Sequence, residues 1–332
     1  MDRIPVIDIE PFLSGTAEGR ARVPAAMREA AEQIGFFAID GHSVPRTTMD
    51  ALYAKAHAFF DLPLEEKQRV APPRLDYPRG YKAVGFEALA AGNELSTPPD
   101  LKEYYHFGRP EIPAVPYYTG EQGRRHFFAN QWPAQPAGFA AAADAYYLAM
   151  EALSATLCRI SALALGLPER FFDDKIDRHI TAARINYYPL QDDPPAEGQL
   201  RAGAHTDYGM LTILSGESAP GLQVRTRAGD WVDVATDKYR FVCNIGDLLM
   251  RWTNDRWVSN THRVLNPPRE MAQAASRMSI AFFHHPNYDA KIECIPGCAG
   301  DAPPKYEPVL SGDFRDCKYA VTRTDSRQTR AA

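Results

Sequence analysis

The spacing of apolar positions changes character part-way along the chain. Before about residue 180 they recur mostly at helical intervals; after it they alternate in short runs of strand type. Ile4-Pro5-Val6-Ile7-Asp8-Ile9 alternates and predicts a short strand. An amphipathic helix follows over 22–34, with Val23, Ala26, Met27, Ala30 and Ile34 near one face. Gly35-Phe36-Phe37-Ala38-Ile39 predicts a second strand, and Val44-Pro45 leads into a helix over about 46–60. Asp61, Pro63 and the acids Glu65 and Glu66 mark another helix start. Residues 71–136, rich in Pro, Gly and Tyr, predict loops with short strands. The Ala-rich stretch 136–165, with Tyr146, Leu148, Met150, Leu153, Leu157 and Ile160, predicts the longest helix, which Gly166 ends before another begins at Leu167-Pro168. Alternating runs then recur at 182–188, 203–214, 221–226, 230–234, 240–250, 258–265 and 276–284, with a hairpin turn at Arg227-Ala228-Gly229-Asp230. Seven short strands at this spacing predict a sandwich or barrel. The tail from about 321 is expected to be disordered.

Composition narrows the function classes. A chain of 332 residues with 45% hydrophobic and 24% charged residues can bury a large core. A net charge of −5 and a pI near 6.0, without a Lys/Arg cluster, argue against a nucleic-acid binder. No apolar run approaches a membrane span, and Met1-Asp2-Arg3-Ile4-Pro5 does not open a signal peptide, so no membrane association and a cytoplasmic location are expected. Five scattered Cys suit a reducing compartment, and Cys294-x-x-x-Cys298 lacks the second pair a structural zinc site needs.

The candidate chemistry lies in the strand-rich half. His205 and Asp207 are two apart, which on a strand puts both on one face. With His262 they make two histidines and one carboxylate, a set that caps one face of an octahedral ion and leaves three positions open, as dioxygen-activating iron(II) sites do. Taken alone the pair is weak: nine His among 42 Asp and Glu predict about one His-x-acid pair by chance. Arg277 and Ser279 also share a face; a guanidinium fork beside a hydroxyl suits a buried carboxylate, or the Arg is an exposed edge residue. Alternation puts Arg184, Asn186 and Tyr188 together, as a pocket wall or as a solvated face. Pro220-Gly221-Leu222-Gln223-Val224 and Asn244-Ile245-Gly246-Asp247 read as turn punctuation.

In order, Asn186-Tyr187-Tyr188-Pro189, His205-Thr206-Asp207-Tyr208-Gly209, Pro220-Gly221-Leu222-Gln223-Val224, Asn244-Ile245-Gly246-Asp247, Asn260-Thr261-His262-Arg263-Val264 and Arg277-x-Ser279 resemble the iron(II)/2-oxoglutarate-dependent dioxygenases of the isopenicillin N synthase-like family. Ile4-Pro5-Val6-Ile7-Asp8, Gly35-Phe36-Phe37, Arg79-Gly80-Tyr81 and Asp100-Leu101-Lys102-Glu103 are similar to its helical N-terminal region, so the resemblance spans about 4–290. It implies a mainly β fold with flanking helices, a distorted double-stranded β-helix (jelly roll). The expected parts are an N-terminal helical and loop region over 1–135, a packing helix and connector over 136–180, a jelly-roll core over 181–290 and an extension over 291–332.

The resemblance further implies Fe(2+) held by His205, Asp207 and His262, with 2-oxoglutarate as co-substrate bound by Arg277, Ser279, Asn186 and Tyr188. The implied reaction uses O2 to hydroxylate, desaturate or cyclise a small organic substrate, giving succinate and CO2. Alternatives are an oxidase of the isopenicillin N synthase type that does not use 2-oxoglutarate, an ethylene-forming enzyme, and a catalytically silent ligand-binding protein. Arg184, Tyr105 and Phe283 are substrate candidates, with Tyr81, Tyr104, His106 and Phe282 as further pocket candidates, and one of His284 and His285 must point inward. A monomer or weak homo-oligomer is expected. The 15-residue spacing from His262 to Arg277 exceeds the family's usual one and reads as a loop insertion around Asn266–Ala275.

Overall fold

The computed structural model describes residues 3–322, apart from 75, 91–97, 192, 269–275 and 302. Most of the expected loop insertion, and the tail past 322, therefore lie outside the described residues.

The strands are β1 (Val6–Asp8), β2 (Phe36–Asp40), β3 (Gly80–Lys82), β4 (Glu103–Gly108), β5 (Ala182–Tyr188), β6 (Ala202–His205), β7 (Leu211–Gly216), β8 (Leu222–Arg225), β9 (Trp231–Asp233), β10 (Phe241–Ile245), β11 (His262–Val264), β12 (Arg277–His284), β13 (Lys291–Ile292) and β14 (Val309–Leu310). An eight-stranded sheet runs β1-β2-β10-β7-β12-β5-β4-β3, a four-stranded sheet runs β6-β11-β8-β9, and β13 pairs with β14. Two sheets stacked with helices outside one of them form the distorted double-stranded β-helix that the sequence led us to expect.

The period-two pattern assigns each strand's residues to one of two cores. Phe37, Cys243, Ile185, Ile280 and Phe282 join a large cluster with the helices Ala17–Gln33, Arg46–Phe60 and Phe139–Ala164. Their strand neighbours Phe36, Val242 and Tyr188 join a smaller cluster with Leu222, Val224 and Val264, between the sheets. The longest helix turns Tyr146, Met150, Leu153 and Leu157 inward at three- and four-residue intervals, the spacing that makes one apolar face. It ends at Gly166, whose φ of +76° a residue with a Cβ rarely adopts, and Leu167 N–H closes the turn onto Ala162 O at 2.9 Å. No helix among the described residues is long and apolar enough to cross a membrane.

Three details differ from the sequence expectation. The run 203–214 breaks after His205, so Asp207 comes from a turn between β6 and β7 and is not a strand neighbour of His205. The run 240–250 is a strand only to Ile245 and then a helix, Asp247–Trp252; an apolar run such as Leu248-Leu249 fits either period. A helix, Ser311–Thr322, occupies what was read as an extension passing into a disordered tail.

Candidate active site

β6 and β11 pair so that His205 and His262 are register partners, which brings their rings to 4.3 Å between centroids. Asp207 reaches them from the turn, with carboxylate oxygens 4.0 Å from His205 Nε2 and 3.8 Å from His262 Nε2. One ligand atom from each of the three lies within 4.8 Å of the others, a cluster a metal ion could bridge. Each ring is oriented through its other nitrogen: His205 Nδ1–H donates to Gly203 O at 2.7 Å and His262 Nδ1–H to Asn260 O at 3.2 Å. That tautomer leaves both Nε2 lone pairs for a metal. Burial, followed by the charge of His262, pushes the His205 pKa down, so the ring is neutral. Burial would raise the Asp207 carboxyl, but the two histidines and hydrogen bonds from Thr212 and Asn244 hold it down.

The turn carrying Asp207 is built by close backbone approach. A Cβ on Gly246 would sit 2.2 Å from Gly209 O, so the two loops pack only with glycine there. The contact lets Asp247 N–H donate to Asp207 O at 2.7 Å and Asn244 Nδ2–H to Asp207 Oδ2 at 2.8 Å. Asp247 also accepts from Thr206 and Ser259 and pairs with Lys318 of the C-terminal helix at 2.8 Å. Asn244-Ile245-Gly246-Asp247, read from sequence as punctuation, thus supports the carboxylate of the cluster.

β12 and β5 line the adjoining cavity in register: Arg277 faces Tyr188, Ser279 faces Asn186 and Ala281 faces Arg184. The Arg277 side chain is almost wholly buried, and among the described residues none of its three nitrogens has a hydrogen-bond partner. Its guanidinium carbon lies 5.3 Å from the Tyr188 ring, and Leu214, Leu222 and Val264 complete an apolar surround. Arg184 lies further along the same face, over the rings of Tyr104 (4.3 Å) and Phe283 (5.4 Å).

Arg184 is not a free recognition group, because Glu87 accepts from it at 3.0 Å. Lys102 binds Glu87 at 3.1 Å and Asp100 at 3.0 Å, and Asp100 accepts from Gly203 N–H at 3.0 Å. The Asp100-Leu101-Lys102-Glu103 motif thereby fixes the residue that orients His205. Burial alone would raise the Glu87 carboxyl, but Arg184 and Lys102 hold it at about 2.

The structure separates the sequence candidates by strand phase. Tyr104, His106 and Phe283 point towards this side of the sheet, whereas Tyr105, Tyr81 and Phe282 enter the helix-side core. Tyr105 packs on Phe59 and Phe139 and does not line the cavity, which removes it as a substrate contact. Of the two adjacent histidines, His285 lines the cavity, while His284 bonds Thr181 behind it. Sequence reasoning missed Glu87, Lys102, Asn244, Tyr208 and Tyr319, all of which line the cavity.

Two families match the chain. The N-terminal family of non-haem dioxygenases in morphine synthesis covers residues 4–135, and the 2OG-Fe(II) oxygenase superfamily covers 180–286. A 2-oxoglutarate-Fe(II) type oxidoreductase of Emericella nidulans, hxnY, is 36% identical, the match covering 93% of this chain and 87% of that one. The chain belongs to the 2-oxoglutarate/iron(II) oxygenase superfamily.

A rice homoarginine-6-hydroxylase is 32% identical over 93% of this chain and 94% of its own. The crystal structure of a full-length Neurospora crassa protein in complex with alpha-KG (2-oxoglutarate) and thymine superposes with a TM-score of 0.82 at 31% identity, covering 96% of each chain. As a superfamily member, the protein is an iron(II)- and 2-oxoglutarate-dependent oxidoreductase that uses dioxygen to oxidise a small organic substrate, with succinate and CO2 as co-products. The residues present fit both groups: two imidazole nitrogens and a carboxylate converge for the metal, and a buried guanidinium, unpaired among the described residues, awaits a carboxylate.

Proposed function

We propose that His205, Asp207 and His262 hold the iron(II), and that Arg277 and Ser279, with Asn186 and Tyr188, hold the distal carboxylate of 2-oxoglutarate. The observation that carries this reading is Arg277: three buried nitrogens without a partner are costly to keep, and a carboxylate would satisfy them as a two-pronged ion pair. Bound iron would supply the open coordination positions at which 2-oxoglutarate and dioxygen meet and from which the substrate is oxidised. The protein's own part is positional. Gly203 O and Asn260 O hold the histidine rings, Asn244 turns the Asp207 carboxylate, and Leu214, Leu222, Val242 and Val264 keep water from the co-substrate.

The substrate lies towards Arg184 and Phe283, where a buried ion pair beside an aromatic ring suits a small polar molecule carrying hydrogen-bond donors and acceptors. Thymine in the Neurospora structure, and homoarginine in the rice enzyme's name, are molecules of this kind. Hydroxylation is the expected outcome, carried out in the cytoplasm by a monomer or weak homo-oligomer; five unpaired cysteines are consistent with that compartment. Anaerobic addition of iron(II) and then 2-oxoglutarate tests the reading. A visible charge-transfer band should form in the wild type and be absent from His205→Ala; a band that survives that substitution overturns the ligand assignment.

A further inference from the structure

A second, larger cavity of about 370 Å³ lies between the N-terminal region and the C-terminal helix, and its chemistry differs from that of the iron pocket. It falls within the range of small-molecule sites, roughly 300–1,000 Å³. Its charged lining is mostly cationic. Arg74 is paired with Asp76 at 2.7 Å and Arg125 with Asp316 at 3.0 Å, and Arg124 is exposed, which leaves the buried Arg79 and Arg315 as the interior cations.

Arg79 is the decisive residue. Its side chain is buried, and among the described residues no carboxylate comes within ion-pair distance of it. Nε has no hydrogen bond, and Nη1 has only a 3.5 Å contact with Phe107 O and a 3.2 Å contact with His106 Nδ1. The same His106 nitrogen lies 2.8 Å from Pro78 O. A single ring nitrogen cannot both donate to Pro78 and accept from Arg79, so one of these contacts goes unmet. A Cβ on Gly108 would sit 2.3 Å from Arg79 Nη2, so the guanidinium packs directly against the backbone of the Gly108 strand end.

Arg315, from the C-terminal helix, lines the same cavity. It is held mainly by neutral groups, His126 Nδ1 at 2.7 Å and Ile180 O at 3.3 Å, and its Nε is without a partner. Its one carboxylate contact is a long one, 3.5 Å to Asp316, which Arg125 already engages at 3.0 Å. Burial and then the Arg315 charge push His126 down to about 3, so that ring brings no positive charge of its own. Burial lowers Arg79 to about 10, the sign of a cation short of compensation. A buried guanidinium without a counter-ion is costly, and an anion seated against its fork offsets that cost.

We propose that this cavity is a second anion site, separate from the one for 2-oxoglutarate, which takes the carboxylate or phosphate group of a small ligand between Arg79 and Arg315. Its position connects it to the reaction. Tyr319 walls both this cavity and the iron pocket, and a smaller cavity shares Pro78, His106 and Tyr319 with the one and Glu87, Arg184 and Tyr319 with the other. A ligand anchored here by its anion extends towards Arg184 and the iron.

The test is thermal melting of the full-length iron(II)-loaded protein under anaerobic conditions with saturating 2-oxoglutarate. It is titrated with inorganic phosphate and, separately, with acetate, against chloride at matched ionic strength. A saturable rise in melting temperature beyond that in chloride is expected; with ligand at about 100 times its dissociation constant, linkage gives a stabilisation of roughly 2.7 kcal/mol. A response to phosphate alone identifies a phosphate-bearing ligand, and a response to acetate identifies a carboxylate-bearing one. Arg79→Met should abolish the response without lowering the melting point in chloride. Arg277→Gln should keep it, which separates this site from the 2-oxoglutarate site whatever the fate of that assignment. If Arg79→Met does not fold, Arg79→Lys replaces it and should weaken the response at least tenfold. No anion-specific response in the wild type, or an undiminished one in the Arg79 variant, overturns the proposal.

Discussion

At the scale of single residues, the site depends on groups that carry no chemistry of their own. Asn244 Nδ2–H donates at 2.8 Å to Asp207 Oδ2, the oxygen nearer His262, and so orients the carboxylate. Asn244→Ala should therefore lower iron(II) affinity about 10–100-fold in an anaerobic titration, with a small change in melting temperature. Arg277 gives the opposite combination. Its guanidinium is buried and unpaired without co-substrate, so Arg277→Leu should melt no lower than the wild type in the absence of 2-oxoglutarate. The same variant should need about 100-fold more 2-oxoglutarate for half-maximal turnover. The proposed ligands and Arg277 could be singled out in the sequence because each belongs to a local motif. Tyr105 was misplaced because Tyr104-Tyr105-His106-Phe107 is buried on both faces, so period two was evident but its phase was not. Glu87 left no local signal, and Lys102 showed only as part of a motif with no role attached, since their meaning comes from strands and loops that meet only in the fold.

At the scale of elements, the N-terminal region and the strand-rich half are joined by buried charge. Glu87→Gln would leave Arg184 facing a neutral amide in a buried setting, at a cost of about 3 kcal/mol in denaturant melts near neutral pH. The pH dependence has a definite sign. The folded Glu87 pKa is about 2, below its ordinary 4.5, so its contribution is full above about 4.5 and is lost as pH falls towards 2. The stability gap between wild type and Glu87→Gln should narrow over that window; a gap that widens there contradicts the network. The helix Ser311–Thr322 is the second such joint. It presents Tyr319 to the iron pocket and Lys318 to Asp247, and its Tyr319 meets Tyr208 edge-on at 5.8 Å. Tyr319→Ala should raise the substrate KM and the ratio of succinate to oxidised product, with little change in the KM for 2-oxoglutarate. The helix escaped sequence reasoning because its partners, Tyr208 and Asp247, lie far away along the chain.

At the scale of the whole molecule, the alternation that sorts Phe36 from Phe37 and Tyr188 from Tyr187 is what makes an oxygenase of this chain. One set of side chains builds the core under the helices, and the other builds a chamber whose polar groups are placed by register. The two-sheet architecture was readable from the spacing of short strands; their order was not, since β10 lies between β2 and β7 through long-range pairing. The helix-side core should behave as ordinary packing. Leu157→Ala, at a fully buried position, is expected to cost about 2–5 kcal/mol in denaturant melts while leaving the 2-oxoglutarate KM unchanged. The most direct test of the central claim is succinate release from 2-oxoglutarate, measured with iron(II) and dioxygen in the wild type, His262→Ala and Arg277→Leu. The account predicts succinate from the wild type, none above background from His262→Ala, and recovery in Arg277→Leu only at high 2-oxoglutarate. Succinate formed by His262→Ala at the wild-type rate, or an Arg277→Leu enzyme with an unaltered 2-oxoglutarate requirement, would contradict it.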